Sequence, residues 1–509
     1  MSLYPPLCRL FLVFLIFSLG AFLILSLGVA ARAQATVPAV LLSDIHFDPF
    51  HNPHEVPQLL AAPVEKWAAI LDAPTSLVED AERAAMQARC HALSYDTTWP
   101  LLKATLAAAR DAQPHPLFVT LSGDLMAHEF QCRFHHLDPA GTPQQLSEFA
   151  AKTVAFVALQ LRRTFPHIPV YVALGNNDSG CADYDETPGN PFAQSTTATM
   201  AMGAVSGKNA IPAKPRLEIS PEGDYTVALP APLQHGRLIV LQDVFDSPYF
   251  LICKGGNERT PEASQIAWLR RQLAAARDRH EQVWVMGHIP PGVDVYASFH
   301  SYFLRPGELC SAPPHPFLQD SALSDALLDY ADIIRLALFA HTHMDEIRLL
   351  HRDAPPGPHS SEAKPAANPA AIPVKLVPSV TPYFGNHPAF IVAAISPRTL
   401  TLKDWQTFVS PSTDGSAKPW PLGYRFSTTY GLPDLSAASA ASLINGFTSD
   451  RSGRDPHSTA YRDHFFAGDL GLYALGLGQI WPAYACAARE DSLDKFHNCL
   501  CPAGAAPAR

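Results

Sequence analysis

Residues 172–180 read VALGNNDSG. An apolar run ends at Gly175, and Asn176, Asn177 and Asp178 follow at once. Strand interiors are poor in Asn, Asp and Gly, so the stretch reads as a buried strand emptying into a polar loop. Taken alone, that loop is an ordinary turn, because these residues favour turns. Four other segments repeat the pattern. VPAVLLSDIHF sets Asp44 and His46 at the end of an apolar run, LFVTLSGD sets Asp124, QVWVMGH sets His288, and IIRLALFAHTH sets His341 and His343. Between them, WPLLKATLAAARDA, FAAKTVAFVALQLRRTF and PEASQIAWLRRQLAAARDR carry apolar residues at helix spacing. Strands alternating with helices predict an α/β layered fold.

The bulk numbers agree with a large globular chain. Of 509 residues, 47% are apolar and only 17% charged, with 48 prolines, which predicts a sizeable core under long, stiff loops. A formal net charge of −10 argues against broad binding to nucleic acid. Arg9 precedes an apolar run over residues 11–31, and small residues at Ala33 and Ala35 follow. This is the pattern of a secretory signal cleaved after Ala35, and the run is also long enough for an uncleaved membrane anchor. Either way the remainder is expected outside the cytoplasm, in a periplasm, a lumen or the extracellular space. Cys8 leaves with the signal. The other eight cysteines are an even number, as a disulfide framework requires, and none forms a C-x-x-C pair. The expected organisation is a signal at 1–35, a main domain at 36–410 with a flexible Pro/Ala/Ser-rich loop at 351–373, and a helical, disulfide-bearing subdomain at 411–509. That last region is expected to be stapled by Cys486 with Cys499 or Cys501.

In open α/β sheets, sites collect beyond the carboxyl ends of strands, so the five strand ends can meet at one edge. Their donors are imidazoles, carboxylates and one amide, with no thiolate, which suits zinc, manganese or iron. Seven donors are too many for one tetrahedral ion and suit two ions sharing a carboxylate. Alternate residues of an extended D-x-H or H-x-H segment would face one site.

The order D-x-H, GD, GN, GH, H-x-H resembles the calcineurin-like metallophosphoesterase superfamily. SDIHFDP, SGDLMAHEF, GNND, MGHIPPG, AHTHMDE, SYDTTWPLLKATL, the WLRRQL helix and SVTPYFGNHPAF resemble the acid sphingomyelinase-like phosphodiesterases over residues 38–410. The resemblance implies a β-sandwich flanked by helices (αββα) and two zinc ions. Asp44, His46 and His343 would hold the first ion, Asn176, His288 and His341 the second, and Asp124 would bridge. It implies an exported phosphodiesterase that uses metal-activated hydroxide. His128 would be the leaving-group acid, with partners such as Glu129. Asp345 and Glu346 would orient ligands, and Tyr383 and His387 would line the groove. Asn177 departs from the family's GNH. An amide can donate a hydrogen bond to phosphate but cannot act as a general acid. The GNND form resembles endopolyphosphatase-type relatives, so polyphosphate and nucleotides stand beside phosphodiesters as substrates. A phosphate-binding protein without turnover is the remaining alternative. No saposin-like segment is visible, and contact with a lipid surface stays open.

Overall fold

The computed structural model describes residues 36–502 apart from 75, 188–191, 193–195, 197–217, 221, 254–259, 303, 353–369 and 469–475. The expected signal at 1–35 lies outside the described residues. Val37–Arg509 forms one compact unit. No helix among the described residues is long and apolar enough to cross a membrane.

Fifteen strands are described: β1 Val37–Leu42, β2 Val119–Ser122, β3 Val170–Ala173, β4 Glu218–Ile219, β5 Tyr225–Ala228, β6 Gly236–Val240, β7 Gln282–Met286, β8 Val293–Asp294, β9 His315–Pro316, β10 Ile334–Phe339, β11 Glu346–His351, β12 Ala371–Leu376, β13 Ala389–Ile395, β14 Leu402–Val409 and β15 Leu422–Arg425. A six-stranded sheet runs β15-β14-β13-β1-β2-β3, a seven-stranded sheet runs β11-β12-β10-β7-β6-β5-β4, and β8 pairs with β9. β1, β2 and β3 are parallel, as are β6, β7, β10 and β12, and antiparallel strands extend both sheets.

Period-two burial builds the layers. In β1, Ala39 and Leu41 join a core that also holds Trp284, Met286, Leu336 and Leu338 of the second sheet. Val40 and Leu42 face the other way, into a core shared with helices Trp99–Ala112 and Pro143–Thr164. On the second sheet, Val283, Val285, Ala337 and Phe339 pack with helices Thr260–Asp278 and Ala322–Leu328. The result is the expected helix-flanked sandwich.

Two local expectations shift. The expected strand over KLVPSV is only partly formed: β12 spans Ala371–Leu376 and ends before Val377 and Pro378. Most of the expected loop 351–373 lies outside the described residues, and its ends pair as strand, His351 with Ala371. Within 411–509, β15 joins the first sheet's edge. Helices Ala437–Ser449 and Trp481–Arg489 bring Leu443, Ile444, Phe447 and Trp481 into the inter-sheet core. The disulfides are Cys90–Cys132, Cys181–Cys253, Cys310–Cys501 and Cys486–Cys499, so the C-terminal staple uses Cys499, and Cys501 ties the tail to Cys310.

Candidate metal centre

The loops after β1, β2 and β3 in one sheet, and after β7 and β10 in the other, converge at the carboxyl ends of both sheets. Asp44, His46 and Asp124 form one possible metal-binding group, and Asp124, His288 and His341 form another. His343 joins the first through His46, with Nε2 3.2 Å from His46 Nε2. Asn176 joins the second, with Oδ1 3.0 Å from His288 Nε2. All seven predicted donors therefore gather at one place.

D-x-H and H-x-H are not extended segments. Asp44 and His46 both have φ 43°, Asp124 has 52°, His341 68° and His343 65°. Five of seven donors thus sit in the left-handed region, which disfavours side chains and clusters at functional sites. Neighbouring backbone holds them there. Asp44 N donates to Gly123 O (3.1 Å) and His46 N to Asp124 O (2.9 Å), while Thr381 N donates to Asp44 O (3.0 Å) and Ser379 N to His343 O (3.2 Å). Side chains converge because tight turns aim them, not because a pleat alternates.

Hydrogen bonds settle which atoms face inward. His46 Nδ1 donates to Met126 O (2.9 Å) and His288 Nδ1 to Ser122 O (2.8 Å), which leaves each Nε2 as a lone pair in the neutral ring. Both lone pairs face Asp124 Oδ2, at 3.3 and 3.2 Å. Asn176 Nδ2 donates to Asp183 Oδ1 (2.7 Å), so its Oδ1 also faces inward as an acceptor. Acceptors crowd on acceptors with Asp124 Oδ2 between the two groups. Protons or cations must lie among them, and two divalent ions sharing Asp124 fit this donor set. Electrostatics says the same without metal. Burial works against a charged His288, yet Asp124, Asp44 and Asp243 push it up to about 10, while burial drives His46 and His341 down to about 3.

The calcineurin-like phosphoesterase family model matches residues 37–345, more than half of the chain. The chain belongs to this family. Acid sphingomyelinase-like phosphodiesterase 3b of Homo sapiens is 23% identical over 428 residues, covering 81% of this chain and 82% of that protein. Sphingomyelinase phosphodiesterase C of Dictyostelium discoideum is 25% identical over 371 residues, covering 70% and 72%. Among solved structures, a dimetal phosphatase from Danio rerio aligns with 11% identity and a TM-score of 0.37, over 73% of this chain and 95% of that one. The motif resemblance therefore holds, and the protein is a phosphoric ester hydrolase.

Beside the donors of this phosphoesterase lies His128, stacked between His46 and Tyr383 with ring centroids 3.8 Å from each. Its Nδ1 is 2.7 Å from Asp96 Oδ1, and Asp96 Oδ2 accepts from Arg133 (2.9 Å), which also pairs with Asp48 (2.9 Å). His128's partner is thus Asp96, not adjacent Glu129. Burial opposes its charge, but Asp96 and then Asp124 push the imidazole above its ordinary value. Asn177 is engaged too: its backbone N and its Nδ2 donate to Asp124 Oδ1 and Oδ2, both at 2.9 Å.

Other expectations change. Asp345 orients no imidazole. Its carboxylate accepts from Lys375 (2.6 Å), Tyr424 (2.9 Å) and Thr407 (2.9 Å), tying the two sheets together, and Glu346 pairs with Arg348. Tyr383 stacks on the site as expected, but His387 bonds Ser410 O (2.8 Å) and lines a separate cavity. Sequence reasoning missed several supports. Asp178 accepts from Gly175, Leu125 and Met126, and Asp243 accepts from His288 and Ile289. Tyr184 OH lies 3.2 Å from His341 Nε2. Asp243 carried a signal, since it ends the apolar run LIVLQD as Asp124 ends LFVTLSGD. Asp183 and Tyr184 carried none.

Proposed function

We propose that this phosphoesterase is an exported, dinuclear-metal phosphodiesterase of the acid sphingomyelinase-like kind. Its main support is the set of inward-facing acceptors that share Asp124 Oδ2. Asp44, His46 and His343 would hold one ion, Asn176, His288 and His341 the other, and Asp124 both. Two bound divalent cations, zinc by this nitrogen-rich donor set, would neutralise phosphate charge and lower the pKa of a bound water. The chain's own residues do the rest. His128 keeps Nδ1 on Asp96, so Nε2 is the atom that holds and delivers a proton to the departing oxygen. The Asn177 amide keeps Asp124 oriented and transfers no proton. The four disulfides fit an oxidising, extracytoplasmic compartment.

The substrate is proposed to be a phosphodiester, from the names of the relatives. A second reading, cleavage of polyphosphate or a nucleotide, draws on GNND at 175–178, because an anhydride needs less help from a leaving-group acid. The test strips the protein with chelator, reloads it with zinc and follows nitrophenol release from bis(p-nitrophenyl) phosphate. Zinc-dependent turnover lost in Asp124→Asn and lowered in His128→Ala is expected. Unchanged turnover in Asp124→Asn would overturn the proposal. Rates on sphingomyelin, a nucleotide and polyphosphate then rank the substrates.

A further inference from the structure

The turn Asp243–Asp246 follows β6, and its two ends behave differently. Asp243 is occupied, accepting from His288 N (2.8 Å) and Ile289 N (3.1 Å). Asp246 is 3% exposed, and neither of its carboxylate oxygens has a hydrogen-bond partner among the described residues. Two amide oxygens around the same turn share that condition. Gln319 donates its backbone N–H to Asp246 O (2.8 Å) and its Nε2 to Ser247 O (3.0 Å), and its Oε1 is buried and unpartnered. Gln265 is 1% exposed and donates Nε2 to Gln242 O (2.8 Å) and Asp224 Oδ1 (2.7 Å), and its Oε1 is unpartnered as well. The charges acting most on Asp246 come from Asp243, Glu262, Asp224 and Asp320, all acidic.

Among the described residues, three side chains around one turn thus hold buried oxygens without a hydrogen-bond partner, an arrangement that is costly unless a cation, a water or a proton enters. Carboxylate and amide oxygens, with no imidazole or thiolate, are hard ligands of the kind calcium takes. We infer that Asp246, Gln265 and Gln319 form a binding site for a hard divalent cation of calcium type, distinct from the metal centre. Asp246 supplies the charge and the two amides supply neutral oxygens. Because Asp243 opens the same turn, the ion braces the backbone that carries His288. A proton or a bound water is the rival occupant, since burial and the surrounding acids raise the Asp246 carboxyl well above its ordinary value.

The test saturates the metal centre with zinc, removes free zinc, and titrates the purified protein with calcium by calorimetry. Asp246→Asn and Gln319→Ala are measured beside it. One calcium should bind the wild type, with affinity falling by about tenfold or more in either variant, because ligand charge and number set calcium affinity. Calcium should also raise the unfolding midpoint of the wild type more than that of the variants. No calcium uptake by the wild type, or equal uptake in both variants, would overturn the site and leave Asp246 as a buried, protonated acid. Gln319 is only half-buried, so its variant carries the test even where Asp246→Asn fails to fold. Both readouts are binding and unfolding, so they stand whether or not the protein turns over a diester.

Discussion

His128 shows how much one side chain depends on atoms far away in sequence. Its ring is clamped between His46 and Tyr383, and its Nδ1 is fixed by Asp96, a carboxylate with no side-chain exposure. Asp96→Asn keeps the shape but removes the charge that favours a protonated imidazole. General acids contribute roughly 100- to 10,000-fold, so a drop in kcat of at least about tenfold is expected on an alkyl diester. The drop should be smaller on a nitrophenyl diester, whose leaving group needs little protonation. Equal losses on both substrates would mean that Asp96 serves structure rather than proton transfer. Glu186 makes a second, separable case. It is 2% exposed, its Oε1 has no partner, and burial pushes its carboxyl from 4.5 to about 8. A folded pKa above the unfolded one favours the folded state fully below about 4.5 and loses that favour as pH climbs toward 8. The loss is on the order of a few kcal/mol. Urea midpoints at pH 5 and pH 8 should therefore fall more for the wild type than for Glu186→Gln, and equal falls would disprove the assignment.

At the scale of elements, the centre is a property of strand-end turns. The turns after β1, β2 and β10 carry donors in a left-handed conformation and are pinned by their neighbours' backbone. Gly123 marks one tight place. Its φ is +95°, and a Cβ there would lie 2.5–2.9 Å from the side chain of His288, on the other sheet. Gly123→Ala would strain the backbone by roughly 1–3 kcal/mol and push two donors apart at once. On the proposed metal centre, metal content after loading with zinc, measured by atomic absorption, should fall clearly below that of the wild type, with some loss of thermal stability. Full zinc content in a folded variant would show that the turn is softer than its geometry implies. Two carboxylates brace turns from neighbouring loops, Asp178 at Leu125 and Asp243 at His288, and Asp178 also closes its own turn through Gly175 N.

For the whole molecule, the sandwich core and the C-terminal region are one packed body. Trp481 is fully buried against Phe447 and Tyr461, its indole N–H donates to Asp450 O (2.7 Å), and its cluster includes strand residues of both sheets. Trp481→Ala should cost about 3–5 kcal/mol. Because the core is shared, chemical unfolding should remain a single transition, with metal release and loss of near-UV signal coinciding. Two separated transitions would instead mark residues 411–509 as an independent unit.

The amino-acid sequence by itself determined the layered α/β class, the strands that carry the site, and the seven polar side chains that meet there. It could do so because period-two burial and abrupt apolar-to-polar strand ends are local signals, and because the donor types restrict the chemistry. Only the tertiary structure decided which atoms face inward and that D-x-H and H-x-H are left-handed turns. It also decided that His128 leans on Asp96 while Asp345 serves the inter-sheet core. Those outcomes depend on hydrogen bonds across 32 residues for His128 and Asp96, and across 79 for Tyr424 and Asp345. No local pattern encodes such separations; they follow from how two sheets meet.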